Sequence, residues 1–160
     1  MITITETDKR FIQLACKLAS DNIDKGGGPF GAVIVKDGEV VATGCNCVTI
    51  INDPTAHAEI NAIREACRKH DNFKLNDCVI YSSCEPCPMC MSAIYWASIS
   101  KVYYANTKID AAAIGFDDNF IYEEIGKRCD YRSIPFIHVT DKSAIDLFEK
   151  WASKADKIEY

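Results

Sequence analysis

Two short fragments, Pro54-Thr55-Ala56-His57-Ala58-Glu59 and Ser83-Cys84-Glu85-Pro86-Cys87-Pro88-Met89-Cys90, constrain the fold of this chain more than any other feature. Among their side chains are the His57 imidazole, the Cys87 and Cys90 thiols and the Glu59 carboxylate, with His57 and Cys87 separated by 30 positions. An imidazole and two thiolates make a three-donor zinc set. A catalytic zinc keeps its fourth position for water, whereas a structural one takes four protein donors. For these groups to meet, the chain must bring two distant segments to one point. Cys87 and Cys90 lie three apart at the start of an expected helix, so both sulfurs fall on one side of its first turn. Free amides and the positive helix end favour thiolate there. His57 and Glu59 are two apart, about 200° around a helix, so they converge only in a first turn. Pro54 suits the first helical position and would place them there. The metal is expected between two helix N-termini, at the C-terminal edge of parallel strands.

Periodicity supplies the surrounding layout. Phe11, Leu14, Ala15, Leu18 and Ala19 recur at helical spacing, with Thr5 or Thr7 as cap and an end near Asp24. Gly26-Gly27-Gly28 lacks the context of a phosphate loop and reads as a turn. Ala32-Val33-Ile34-Val35 and Val40-Val41-Ala42 flank Asp37-Gly38, a hairpin signal. A second helix after Asp53-Pro54 would bury Ile60, Ile63 and Cys67. Cys78 to Tyr81 reads as a buried strand, Pro88 to Ala97 as a helix and Ile99 to Ala105 as a strand, an order that implies a parallel pair. Beyond Lys108 come two short helical pieces, a strand at Phe136 to Thr140 and a terminal helix carrying Ile145, Phe148, Ala152 and Ala155. The class is α/β: a mixed sheet covered by helices, in one domain over 1–160.

Other readings of the cysteines fare worse. Cys84, Cys87 and Cys90 begin like a ferredoxin cluster, but the fourth position of that pattern is Ile94. A redox C-x-x-C has no use for the upstream His-x-Glu. Cys84 is the one convenient fourth ligand for a structural zinc, a reading that leaves Glu59 idle; Cys84 fits better as a buried strand-end thiol.

Charge narrows the partners. With 18 Lys and Arg against 23 Asp and Glu, the net charge of −5 carries no evident basic face. The nearest to a cluster, Arg64, Arg68 and Lys69, reads as a solvated helix surface. A small substrate is favoured over nucleic acid. The opening residues, Met1 to Glu6, show no secretory signal, and no segment approaches the roughly 20 apolar residues of a membrane span. Nine cysteines without a disulfide framework point to a reducing, cytoplasmic setting.

The His-x-Glu and Pro-Cys-x-x-Cys fragments, with Gly28-Pro29-Phe30-Gly31-Ala32-Val33-Ile34-Val35, resemble the cytidine deaminase-like superfamily of zinc nucleobase deaminases. Gly115-Phe116-Asp117-Asp118-Asn119-Phe120-Ile121-Tyr122 and the final Glu159-Tyr160 are similar to bacterial guanine deaminases. The resemblance runs from about Phe11 to Tyr160. It implies a three-layer sandwich with a mixed five-stranded sheet and helices on both faces. It also implies one zinc per subunit on His57, Cys87 and Cys90, with Glu59 as proton shuttle. The reaction implied is attack of zinc-activated hydroxide at C2 of guanine, giving xanthine and ammonia. A homodimer is implied too, with residues 130–160 exchanged between subunits and Tyr160 closing the site.

Substrate contacts follow with alternatives beside them. Phe30 is either a stacking ring for a purine or a core aromatic. Asn46 offers donor and acceptor to a purine edge, or merely ends a strand; the resemblance favours contact. Asp118 can accept from the N–H groups that mark guanine, or cap a helix. Trp96 walls the pocket or sits in the core. Ala58 can offer its amide near the reacting oxygen. Guanosine, cytosine or cytidine, and transfer-RNA adenosine remain alternative substrates, and a zinc-stabilised binding module is the alternative outside catalysis.

Overall fold

In the computed structural model, which describes residues 3–159, the Asp37-Gly38 turn takes positive φ at both positions, 51° and 80°. That geometry suits a tight hairpin. Strands β1 (Gly31–Lys36) and β2 (Glu39–Cys45) pair antiparallel around it. β1 also pairs antiparallel with β3 (Cys78–Cys84), which runs parallel to β4 (Lys101–Asn106). The sheet order is β2-β1-β3-β4.

Helices cover both faces. α1 (Glu6–Ile23) starts at a capping box in which Thr5 and Asp8 bond each other's backbone. Its Phe11, Leu14, Ala15 and Leu18 pack on Val33, Val35 and Tyr81. A short α2 (Val48–Ile51) follows β2, and then α3 (Ala58–His70) and α4 (Pro88–Trp96) cover the other face. There Ala58, Ala62, Ala66 and Ile94 pack on Ala32, Ile34 and Ile80. The buried stripe of α3 is mainly alanine, which lets the helix approach β2 closely. A Cβ at Gly44 would overlap the Ala58 carbonyl oxygen. The three-layer arrangement agrees with the expectation.

Two expectations fail. The sheet has four strands, not five: residues 136–140 pair with no strand among the described residues. Aromatic and β-branched residues favour extended backbone, but whether such a segment pairs depends on which strand it meets, and that is not a local property. Pro54 is in a turn instead of at the first helical position. Asp53 Oδ1 accepts from both the backbone N–H and the hydroxyl of Thr55 at 2.8 and 2.7 Å, so helix α3 starts at Ala58.

The chain divides into two units, Met1–Asp118 and Asn119–Tyr160. The first holds the sheet, α1–α4 and α5 (Lys108–Ala113). The second holds α6 (Asn119–Gly126), a 3₁₀ turn at Cys129–Tyr131 and α7 (Lys142–Ser153). None of its described residues is buried.

Asp8 links the α1 cap to the sheet by accepting the Tyr81 hydroxyl at 2.7 Å in a buried position. Hydrogen bonds from Thr5 and then Tyr81 hold its carboxyl below the ordinary 3.8. A depressed folded-state pKa stabilises above the unfolded value and loses that stabilisation as pH falls through the folded one. Tyr81→Phe should cost about 1.5–3 kcal/mol at neutral pH, measured by urea unfolding, and the deficit should shrink below pH 4. A deficit independent of pH would mean the bond to Asp8 is not its source.

Candidate active site

His57 is the N-cap of α3 and Cys87 the N-cap of α4, both in extended backbone conformation. Cys90 lies in the first turn of α4 and is fully buried. The two helix N-termini therefore meet beyond the C-terminal ends of the parallel pair β3 and β4. His57 Nδ1 lies 3.5 Å from each sulfur, and all three donor atoms fall within 4.8 Å of one another. Zinc bonds of about 2.3 Å to sulfur and 2.0–2.1 Å to nitrogen place tetrahedral S and N donors about 3.6 Å apart. The donor set therefore fits zinc in type and in spacing.

The thiols already share charge unequally. The Cys90 thiol and then His57 pull Cys87 down to about 4, against the effect of burial. Cys90 is pushed strongly up, first by its contact with Cys87 and then by burial. Contact with Cys87 also raises His57. Cys84 stands apart from this group: burial pushes its thiol up to about 11, and its Sγ donates to the Thr107 carbonyl at 3.7 Å. It is a strand-end thiol.

Glu59, the second residue of α3, is 6% exposed. Burial raises its carboxyl pKa, and the Ser82 hydroxyl donates to its Oε1 at 3.0 Å. Ser82 was not singled out in the sequence, although a Ser-Ser pair in an otherwise buried strand was a usable signal. Its neighbour Ser83 accepts from the Gly31 amide at 3.0 Å. Glu85 accepts from the Lys108 amide at 3.0 Å and so fixes the start of α5. It is a structural carboxylate.

The remaining expected contacts divide. Phe30 is half-buried and meets Phe116 edge to face, ring centres 5.0 Å apart. That contact draws the Phe116-Asp117-Asp118 segment toward Phe30. Burial, then the negative charge of Cys87, raises the Asp118 carboxyl pKa. Asn46 is buried between the ends of β2 and α2. Ala58 is the first residue of α3, so its N–H has no acceptor within the helix. Trp96 ends α4, about 14 Å along the axis from Cys87, and is 65% exposed. The structure does not bring it to the thiolate end. Tyr160 lies outside the described residues.

Residues 5–106 match the family described as cytidine and deoxycytidylate deaminase zinc-binding region. The chain belongs to that deaminase family. Guanine deaminase of Bacillus subtilis is 53% identical over 94% of this chain and 97% of its own length. A solved structure of the Bacillus subtilis enzyme superposes with a TM-score of 0.93 at 51% identity, covering 98% and 99% of the two chains. A guanine deaminase structure from Nitrosomonas europaea has a TM-score of 0.67 at 29% identity, over 82% and 71%. By contrast, the transfer-RNA-specific adenosine deaminase of Aquifex aeolicus is 42% identical over 59% of this chain and 63% of its own. Zinc is the metal of this deaminase, and no helix among its described residues is long and apolar enough to cross a membrane.

Proposed function

We propose that this deaminase hydrolyses guanine to xanthine and ammonia. The observation that carries the reading is the likeness to guanine deaminase along nearly the whole chain, whereas the transfer-RNA enzyme matches only part of it. Zinc on His57, Cys87 and Cys90 supplies a Lewis acid and acidifies water toward a pKa of about 7. Glu59 takes one proton from the attacking water and gives it to a ring nitrogen, then takes the second from the new C2 hydroxyl and gives it to the departing amine. The new C2–O bond replaces the C2–N bond, and ammonia leaves. The Ser82 hydroxyl donates to Oε1 and so orients the Glu59 carboxylate that carries the proton. The Ala58 amide is available to a developing negative oxygen. Phe30 stacks on the purine, and Asn46 and Asp118 read its edge. Ammonia release from guanine, guanosine, cytosine and adenine, assayed side by side with zinc content, tests the reading. Guanine should exceed the others by orders of magnitude; preference for guanosine or cytosine would overturn it.

The working form is a homodimer in which residues 130–160 cross to the partner. The support is energetic. In the unit Asn119–Tyr160, Phe120, Phe136, Ile137, Ile145, Phe148 and Trp151 are all exposed, and a surface that apolar marks an interaction site. Deleting Tyr160 should lower activity on guanine at least about tenfold, on the scale of a misplaced site-closing group, with thermal stability nearly unchanged. Unchanged activity would remove Tyr160 from the site, and a monomer by sedimentation would remove the exchange. All nine cysteines are free, which supports a cytoplasmic location.

A further inference from the structure

We infer that Asn22 and Asn61 are positioning residues that set Asn46 for the purine edge, an inference resting on the substrate contact assigned to Asn46 above. Asn22, near the end of α1, is 4% exposed. Its Nδ2 donates to the Asn46 carbonyl at 2.8 Å and to the Gly28 carbonyl at 2.9 Å. Asn61, in α3, donates from Nδ2 to the Cys45 carbonyl at 2.8 Å and to the Ala56 carbonyl at 3.3 Å. The backbone of Asn46 is thereby held at every polar group. Its own N–H donates to the Phe30 carbonyl at 3.1 Å, and the following Cys47 N–H donates to Ala56 at 2.9 Å. Its two flanking carbonyls accept from the two asparagines.

These bonds also tie three loops to one another: the Gly28–Phe30 segment, the end of β2, and the Ala56 segment that leads into His57. The arrangement leaves no room for a side chain at Gly27, where a Cβ would overlap Asn22 Nδ2 and crowd the Asn46 carbonyl. At the side chain, Asn46 Oδ1 accepts from Val48 N–H at 3.3 Å. This sets which end of the amide is oxygen and leaves Nδ2 as the donor for a purine acceptor. A small rotation of either peptide would move that donor. Displacement on the ångström scale is enough to change recognition by one to two orders of magnitude.

The test is a double-mutant cycle on the zinc-loaded enzyme, with xanthine as a binding probe that does not turn over. Asn22→Ala should raise the Kd for xanthine roughly tenfold or more and lower kcat/KM for guanine in parallel, with zinc content unchanged. In an Asn46→Ala background the same substitution should change Kd less than about twofold, because residues that act through one another are not additive. Asn61→Ala repeats the cycle from the other side and serves if Asn22→Ala does not fold. Full additivity, or an unchanged Kd in both single variants, overturns the inference. An Asn46→Ala variant with wild-type Kd would overturn the Asn46 contact itself while leaving the guanine activity of the parent enzyme intact.

Discussion

Glu59→Gln should reduce turnover of guanine by about 10²–10⁴-fold while keeping one zinc per chain. Glutamine matches the shape of glutamate, and its side-chain oxygen can still accept the Ser82 hydroxyl, which lies 3.0 Å from Glu59 Oε1. None of the zinc donors is altered. What disappears is a group able to take a proton and give it back. Burial matters here because it raises the pKa of the Glu59 carboxyl, bringing its affinity for the proton closer to neutrality, where a shuttle is most effective. The fall should appear in kcat, with binding of xanthine little changed, since proton transfer contributes only on the way through the reaction. Near wild-type turnover in a variant of full zinc content would assign the proton shuttle to another residue.

The sequence and the structure agree where chemistry is carried by short contiguous stretches. The two thiols sit at the start of α4 as their spacing predicted, and the imidazole also stands at a helix start, as the cap of α3 and not within its first turn. The hairpin at Asp37-Gly38 and the helices starting at Glu6 and Pro88 also rest on turn and cap residues next to them in the chain. The start of α3 was misplaced because Pro54 fits a first helical position as well as a turn. The choice between them is made by the Asp53 side chain bonding Thr55.

Contacts across the fold were out of reach. Ser82 meets Glu59 across 23 positions, and Asn22 meets Asn46 across 24; no local pattern reports such a pairing. The expected stripe of Ile60, Ile63 and Cys67 understated how far alanine controls the helix–sheet distance, which Gly44 then exploits. Trp96 shows how little residue type alone says of place: a pocket wall and a core position were equally open, and it stands exposed at the far end of a nine-residue helix.

Complete removal of zinc should abolish guanine deamination, and stoichiometric zinc should restore it. The fold should survive. The two core clusters are built on Ile34, Ile80, Val33 and Tyr81 and include none of the three donors, so far-UV circular dichroism should change little. Stability should still fall, because zinc binds only the folded arrangement of donors. At free zinc a thousandfold above its Kd that contribution is about 4 kcal/mol. Individual replacements separate the roles of the cysteines. Cys87→Ala and Cys90→Ala should each lose zinc together with activity, since only two donors then remain. Cys84→Ala should keep one zinc per chain, because its thiol is bonded toward Thr107 and lies outside the donor group. Loss of zinc on replacing Cys84 would reveal a fourth protein donor and close the position that the reaction needs for water. Full activity after verified stripping would remove the metal from the chemistry altogether.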